Sequence, residues 1–235
     1  MVFLCGMYYQ PGPDGSVVDT GTMSTTRNTS FHSLAGGRPA SLPGHHGYPN
    51  GANGSGTIGK TLGYRKGDVI YGPGAPFPGI CEVLAGVVRI GTLTEAGEEV
   101  TTDILTSADL FGNLKALPEN TTELARALTD SVVCLYDSDQ FGQLVATDTR
   151  AGEWFRNYLM QRWQSLERRF LRINTCKSAE NVAFLYKSLN RTVSDAHGRD
   201  QPILKVVTQK DMADLIGTTR QTVATAMRKI GKKKR

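Results

Sequence analysis

Side chains that can hydrogen-bond to nucleic acid are concentrated near the C-terminal end of the 235-residue chain. An arginine can donate two hydrogen bonds to guanine, a glutamine can pair with adenine in the same bidentate way, and threonine hydroxyls can reach phosphate. These residue types recur in Thr208, Thr219, Arg220, Gln221, Thr222, Thr225 and Arg228. The pattern predicts a surface that contacts DNA, and the alternative interpretation is a polar helix face that only confers solubility.

Two short predicted helices position these side chains. Thr208 stands three residues before Asp211, which is the spacing of a capping box at a helix start. Gly217 ends this helix, and the threonine pair that follows can cap a second helix, whose inner side includes Val223. Two short helices joined by a glycine turn are typical of a helix-turn-helix, in which the second helix enters the major groove of DNA.

The charge distribution favours a nucleic-acid partner for this end of the chain. The net formal charge is +5, and the segment 175–235 has 13 basic and 5 acidic side chains, which gives +8. The segment 58–137 has 6 basic and 11 acidic side chains, which gives −5. Basic residues attract DNA because they release the counterions that are condensed on its phosphates. We therefore expect double-stranded DNA as a partner, and a solvated lysine tail is the alternative.

Metal chemistry and catalysis are not indicated elsewhere in the sequence. The four cysteines, at positions 5, 81, 134 and 176, show no C-x-x-C spacing, so neither a zinc site nor a disulfide framework is predicted. The segment 58–137 contains no histidine, which argues against a cupin-like metalloenzyme. No apolar run is long enough to span a membrane. We expect a cytoplasmic protein that is not an enzyme and has no cofactor, metal site or membrane partner.

The sequence divides into four segments. Residues 1–57 are rich in Gly, Pro, Ser, Thr and Asn and are predicted to be a disordered low-complexity segment. Residues 58–137 contain strand-length apolar runs between glycine turns, which predicts an antiparallel β-barrel. These runs are 68–71, 80–85, 87–93, 100–105, 124–129 and 132–136. Residues 138–174 are predicted to form one long helix, and residues 175–235 a domain of short helices with a loop at 193–201 and a strand-like run at 203–207.

The long predicted helix has a narrow apolar stripe. The members of the stripe are Leu159, Trp163, Leu166, Phe170 and Ile173, which are 4, 3, 4 and 3 residues apart. Heptad spacing of this kind predicts a helical seam between two copies of the chain, that is, a homodimer. The alternative is that the stripe packs on the surface of the barrel.

The order of these parts and several motifs resemble the Crp/Fnr family, which includes the cyclic-AMP receptor protein, over residues 59–230. The segments that carry the resemblance are the opening strand 64–70, the glycine turn 83–89, the start of the phosphate-binding cassette 109–112, the helix after the hinge 182–185 and the start of the recognition helix 218–223. The resemblance implies an α+β fold. Its parts would be an N-terminal double-stranded β-helix (jelly-roll) barrel like that of cyclic-nucleotide-binding domains, a long dimerisation helix and a C-terminal winged-helix-type helix-turn-helix.

The resemblance also implies a function. It implies a transcription regulator that binds a palindromic operator as a dimer and whose DNA affinity is controlled by an effector at the barrel; RNA polymerase is a further candidate partner. The corresponding effector pocket consists of Gly112, Asn113, Leu114, Thr121 and Thr122. Asn113 stands where the family has a glutamate, and the threonine pair stands where it has the arginine that binds phosphate. The expectation is therefore either an unidentified small-molecule effector or no ligand, and not cyclic AMP.

The DNA-binding end departs from the family pattern as well. Gln221 replaces a frequent glutamate and Thr225 replaces a frequent arginine, so we expect an operator that differs from that of the cyclic-AMP receptor protein. A twofold dimer predicts an inverted repeat, because its two recognition helices lie about 34 Å apart on one DNA face. The chain stops at Arg235, before the residues that normally brace the recognition helix in the family, so we expect either a truncated C-terminal end or terminal lysines that supply nonspecific phosphate contacts instead. The alternative function is a sensor or interaction module that has lost specific DNA binding through this truncation.

Overall fold

Eight β-strands lie in the N-terminal half of the described chain. The computed structural model describes residues 59–74, 79–112 and 122–232, so the predicted disordered segment 1–57 lies outside the described residues. The strands are β1 (Gly59–Tyr64), β2 (Val69–Tyr71), β3 (Ile80–Ala85), β4 (Val87–Leu93), β5 (Glu99–Thr106), β6 (Leu110–Gly112), β7 (Glu123–Ala127) and β8 (Ser131–Tyr136). Each of the six predicted apolar runs corresponds to one of these strands, whereas β1 and β6 were not among the predictions.

The strands form two antiparallel sheets of four strands each. Their orders are β1-β8-β3-β6 and β2-β7-β4-β5. Both sheets contribute to one apolar core, in which Val83 and Val133 from the first sheet meet Val88 and Leu105 from the second. Side chains alternate between the two faces of a strand, so each sheet has a second face that is free to contact helices. The two sheets together form an antiparallel β-core, which is called the barrel.

The connection between β3 and β4 depends on a glycine. Gly86 has a φ of 94°, in the left-handed region that favours glycine. A Cβ atom at this position would lie 2.3 Å from Oγ and 2.8 Å from Cα of Ser131. No larger residue fits unless the start of β8 moves. Gly86 therefore lets the chain cross from one sheet to the other in a single residue.

The prediction of one long helix over residues 138–174 is wrong, because the segment forms two helices. Helix α1 spans Ser138–Thr147 and helix α2 spans Thr149–Thr175. Asp148 separates them: its backbone is extended, with φ −95° and ψ 112°, and its carboxylate accepts a hydrogen bond from the Ala151 N–H at 2.8 Å. An aspartate at this position stabilises a new helix start, since it satisfies a backbone donor that has no partner within the helix.

The C-terminal part consists of short helices and one small hairpin. Its elements are α3 (Ser178–Leu189), β9 (Thr192–Ser194), β10 (Asp200–Pro202), α4 (Ile203–Val206), α5 (Gln209–Leu215) and α6 (Arg220–Lys232). The predicted loop 193–201 therefore includes most of an antiparallel β9–β10 pair. The predicted strand-like run 203–207 is a helical turn, so that prediction is wrong. An apolar run of five residues fits either structure, because periodicity does not separate a helical turn from a strand at this length.

The C-terminal helices share a hydrophobic core with the barrel. Val87 of β4 and Ile104 of β5 are fully buried, and they belong to the same apolar cluster as Val182, Leu189 and Val223 of the helices. Because their strand neighbours point into the barrel core, these two side chains lie on the outer face of the second sheet. The outer face of the β4–β5 pair is thus the surface on which the C-terminal helices pack.

Candidate nucleic-acid interface

The first helix of the candidate interface, α5, begins with the predicted capping box. The Thr208 hydroxyl accepts a hydrogen bond from the Asp211 N–H at 3.1 Å, and the Asp211 carboxylate accepts one from the Thr208 N–H at 2.8 Å. The chain then turns at Gly217, where φ is 62°. Helix α6 follows, and the Thr219 hydroxyl accepts a hydrogen bond from the Thr222 N–H at 3.2 Å near its start. The two predicted short helices and the glycine turn between them are therefore present.

Most of the predicted DNA-contacting residues are exposed to solvent. Six of the seven are exposed, and Thr222 is half-buried; the exposed residues are Thr208, Thr219, Arg220, Gln221, Thr225 and Arg228. The opposite side of α6 is held by Val223 and Ala226, which are buried in the core shared with the barrel. The helix therefore presents polar hydrogen-bonding groups on one side and is fixed to the protein on the other.

A polar network joins α5 to the barrel, and sequence analysis did not predict it. Asp211 is 1% exposed. One of its oxygens, Oδ1, accepts a hydrogen bond from the Thr101 hydroxyl of β5 at 2.7 Å and lies 3.2 Å from Nη1 of Arg89 on β4. Burial tends to raise the pKa of Asp211, but hydrogen bonds from Thr208 and Thr101 and the charge of Arg89 outweigh burial and hold this pKa below its ordinary value. Asp211 is thus a carboxylate at the junction of the two parts.

The apolar stripe of α2 is exposed to solvent in the single chain. The exposed large apolar side chains of this helix include all five predicted members, namely Leu159, Trp163, Leu166, Phe170 and Ile173. A different side of the helix faces the barrel, where Tyr158 and Ser165 are buried. The alternative that the stripe packs on the barrel of its own chain is therefore wrong, because the barrel contacts other residues of α2.

The predicted effector pocket is only partly within the described residues. Asn113, Leu114 and Thr121 lie outside them. Gly112 ends β6, with a φ of 97°. Thr122 is exposed beside the end of β4: its hydroxyl lies 2.8 Å from the Thr92 hydroxyl, and its carbonyl accepts a hydrogen bond from the Leu93 N–H. Gly112 thus lies at the end of a strand of the first sheet, and Thr122 lies directly before a strand of the second sheet.

Arg162 of α2 lies against the barrel, which sequence analysis missed. Its guanidinium forms an ion pair with Asp103 of β5 at 3.1 Å and donates to the Tyr158 hydroxyl at 3.3 Å. That hydroxyl accepts a hydrogen bond from the Leu110 N–H at 2.8 Å. Nearby, burial raises the pKa of Asp109 to about 7. The helical spacing of Arg162 from the buried Tyr158, four residues, is the signal that could have placed it on this side.

Metal-ion clusters and membrane-spanning helices are both absent from the described residues. In residues 59–74, 79–112 and 122–232, no group of three or more His, Cys, Asp or Glu side chains is placed to hold a metal ion. Over the same ranges, no helix is both long enough and apolar enough to cross a membrane.

Comparison with known proteins gives one match to the N-terminal strands and several matches to about three quarters of the chain. A family model described as "Cyclic nucleotide-binding domain" matches residues 61–148. The "CRP-like cAMP-activated global transcriptional regulator" of Mycobacterium tuberculosis is 22% identical over 165 residues, which is 70% of this chain and 74% of the relative. The structure of FixK2 from Bradyrhizobium japonicum matches with a TM-score of 0.60 at 20% identity and covers 75% of this chain and 86% of its own. A CRP/FNR family transcriptional regulator from Thermus thermophilus matches with a TM-score of 0.56 at 22% identity, over 74% and 87% of the two chains.

The matched family model describes a cyclic-nucleotide-binding domain, and the named relatives are transcription regulators. The chain is similar to transcription regulators of the Crp/Fnr family. The resemblance inferred from the sequence motifs is thereby confirmed. The names of these relatives describe transcription regulators.

Proposed function

We propose that the protein is a homodimeric regulator that binds a specific DNA sequence through α6. The observation that carries this proposal is the exposed face of α6, where Arg220, Gln221 and Arg228 project from a helix whose inner side is buried. These are the side chains that form bidentate contacts with base edges in the major groove. The same two helices form the helix-turn-helix to which the family resemblance points.

The proposed dimer forms through the stripe of α2. Trp163 and Phe170 are 65% and 67% exposed, which is unusual for large aromatic side chains on a single helix face. A second copy of the same stripe can cover both, since heptad spacing keeps the stripe on one side along its length. A twofold dimer then presents two copies of α6, and the operator is an inverted repeat with half-sites about 34 Å apart.

The proposed effector is a small molecule that binds at the barrel and is not cyclic AMP. Gly112, Asn113 and Leu114 occupy the segment where the family has its glutamate, and Thr121 and Thr122 occupy the place of its phosphate-binding arginine. A buried phosphate without a charged partner is strongly disfavoured. The effector alters DNA affinity if it binds two arrangements of the dimer with different affinities.

Selection from a randomised DNA pool tests the proposal. We expect the wild-type protein to enrich a palindromic site, and we expect the double variant Arg220→Ala, Gln221→Ala to lose this enrichment. The matched control is the double variant Arg150→Ala, Gln143→Ala, which removes the same residue types from exposed positions in α1 and the first turn of α2. The control should select the same site as the wild type. Retention of DNA without enrichment would contradict sequence-specific binding and favour a sensor module.

A further inference from the structure

Asp211 divides its two carboxylate oxygens between α5 and the barrel. Oδ2 accepts hydrogen bonds from the N–H and the hydroxyl of Thr208, at 2.8 and 2.7 Å, and so completes the start of α5. Oδ1 faces the barrel and is held by the Thr101 hydroxyl at 2.7 Å and by Arg89 at 3.2 Å. One side chain therefore fixes the start of α5 and ties it to the β4–β5 pair.

A second set of contacts holds α5 one turn further along. The Thr101 N–H donates to Oδ2 of Asp214 at 2.9 Å. Lys210 donates to the same Asp214 oxygen at 2.8 Å and to the carbonyl oxygen of Glu99 at 2.7 Å. Glu99 in turn pairs with Arg89. The contacts come from three positions of α5, residues 210, 211 and 214, so they restrain both the position and the rotation of this helix.

The orientation of α6 depends on that of α5. The turn between them is closed by hydrogen bonds from the Thr218 N–H to the Ala213 carbonyl at 3.0 Å and from the Gly217 N–H to the Asp214 carbonyl at 3.3 Å. Val223 of α6 is buried in the same core as Ala213. Because these contacts join the two helices closely, a displacement of α5 on the barrel also displaces α6. The exposed face of α6 stays free while α5 is held.

We infer that Thr101 and Arg89 of the barrel are positioning residues for operator recognition, which they support by holding α5 through Asp211. This inference rests on the proposed function. In a dimer, the two α6 helices must enter successive major grooves with a fixed spacing. A loosely held helix-turn-helix loses conformational freedom when it binds in this way, and that loss lowers its affinity for the operator. Nonspecific binding depends on phosphate neutralisation and does not need that spacing. Loss of the barrel contacts therefore lowers specific affinity and leaves nonspecific affinity unchanged.

The experiment compares two neighbouring threonines of β5. Thr101→Val removes the hydroxyl that binds Asp211, whereas Thr102→Val removes a hydroxyl that donates only within the barrel, to the Ile90 carbonyl. Binding is measured for the full chain with two duplexes of equal length, the site recovered from the pool and a mixed sequence. We expect Thr101→Val to weaken binding to the recovered site by about tenfold, as for the loss of one buried hydrogen bond. Compared with the wild type, Thr101→Val should show the same affinity for the mixed sequence and the same salt dependence of binding to each of the two duplexes.

Two further variants test whether the effect is one of positioning. Thr101→Ser restores the hydroxyl and should restore affinity for the recovered site, and Thr102→Val should behave as the wild type. Arg89→Met removes the second barrel contact and should act like Thr101→Val. Its control, Arg126→Met, removes an arginine that pairs with the same Glu99 but has no contact with Asp211.

The outcomes separate this inference from the proposed function. If the wild type shows no preference for any sequence, the proposed function fails. If the wild type is specific but Thr101→Val binds both duplexes as the wild type does, the positioning role is overturned. An equal loss of affinity for both duplexes, with a lower melting temperature, also overturns it, because that result indicates a role in stability alone.

Discussion

Replacement of Trp163 by alanine should dissociate the proposed dimer. An aromatic side chain buries about 150–250 Å², and 65% of Trp163 is exposed in the single chain. Burial of that exposed part against a second copy removes about 130 Å² from water, which contributes about 3 kcal/mol at 25 cal/mol per Å². Each of the two copies in the dimer loses this contribution, less the small part that the alanine Cβ retains. The free energy of dimerisation therefore becomes weaker by about 5 kcal/mol. The dimer dissociation constant should rise between about 10³- and 10⁴-fold.

Sedimentation equilibrium over a range of protein concentrations measures this constant directly. The control is Leu171→Ala, because Leu171 is 54% exposed on the same helix but lies about a quarter-turn away from the stripe. The control should keep the dissociation constant of the wild type within a few-fold, and both variants should keep the far-ultraviolet circular dichroism of the wild type. The reasoning is refuted if Trp163→Ala remains as dimeric as the wild type, or if the Leu171 variant dissociates equally.

Three further predictions concern stability and are measured by denaturant unfolding. Gly86→Ala should lower the free energy of unfolding by about 3 kcal/mol or more, because the new Cβ meets the backbone of Ser131. Gly97 also has a positive φ but has open space around it, so Gly97→Ala should lower the free energy of unfolding by only about 1 kcal/mol. Equal losses for the two variants would contradict the steric argument. Asp109 has a folded-state pKa of about 7, above its ordinary 3.8, because burial favours the protonated carboxyl. The contribution of Asp109 to the free energy of unfolding is therefore fully present below about pH 4 and is lost as the pH rises to 7. Unfolding free energy should then fall by about 1.4 kcal/mol per pH unit within that window, and Asp109→Asn should flatten the slope. Asp148→Ala should cost about 1 kcal/mol through loss of the α2 cap, and no change in stability would count against the capping role.

Local patterns in the sequence predicted most of the elements. The capping box at Thr208 and Asp211 and the turn at Gly217 are present, because each depends on residues only a few positions apart. The same applies to the six predicted strands. The break at Asp148 had a readable signal, an aspartate followed by a helical pattern, but the surrounding helical spacing obscured it. The run 203–207 was misassigned because its length fits two structures.

The contact between α5 and the barrel could not be predicted in this way. Arg89 and Asp211 are 122 positions apart, and neither stands in a motif that specifies the other. The two outward-facing residues Val87 and Ile104 also gave no signal, because an apolar residue on the outer face of a strand does not indicate what covers it. Such contacts follow from how whole elements pack, which local periodicity does not encode.

The core that Val87 and Ile104 share with the C-terminal helices has a consequence for biosynthesis. Val87 leaves the ribosome about 95 residues before Val182, its companion in that core. At about 5–20 residues per second, the outer face of the β4–β5 pair is without its covering helices for about 5–20 s. During this interval the nascent barrel exposes an apolar sheet surface, so the order of synthesis makes the barrel depend on about the last quarter of its own chain for protection from aggregation.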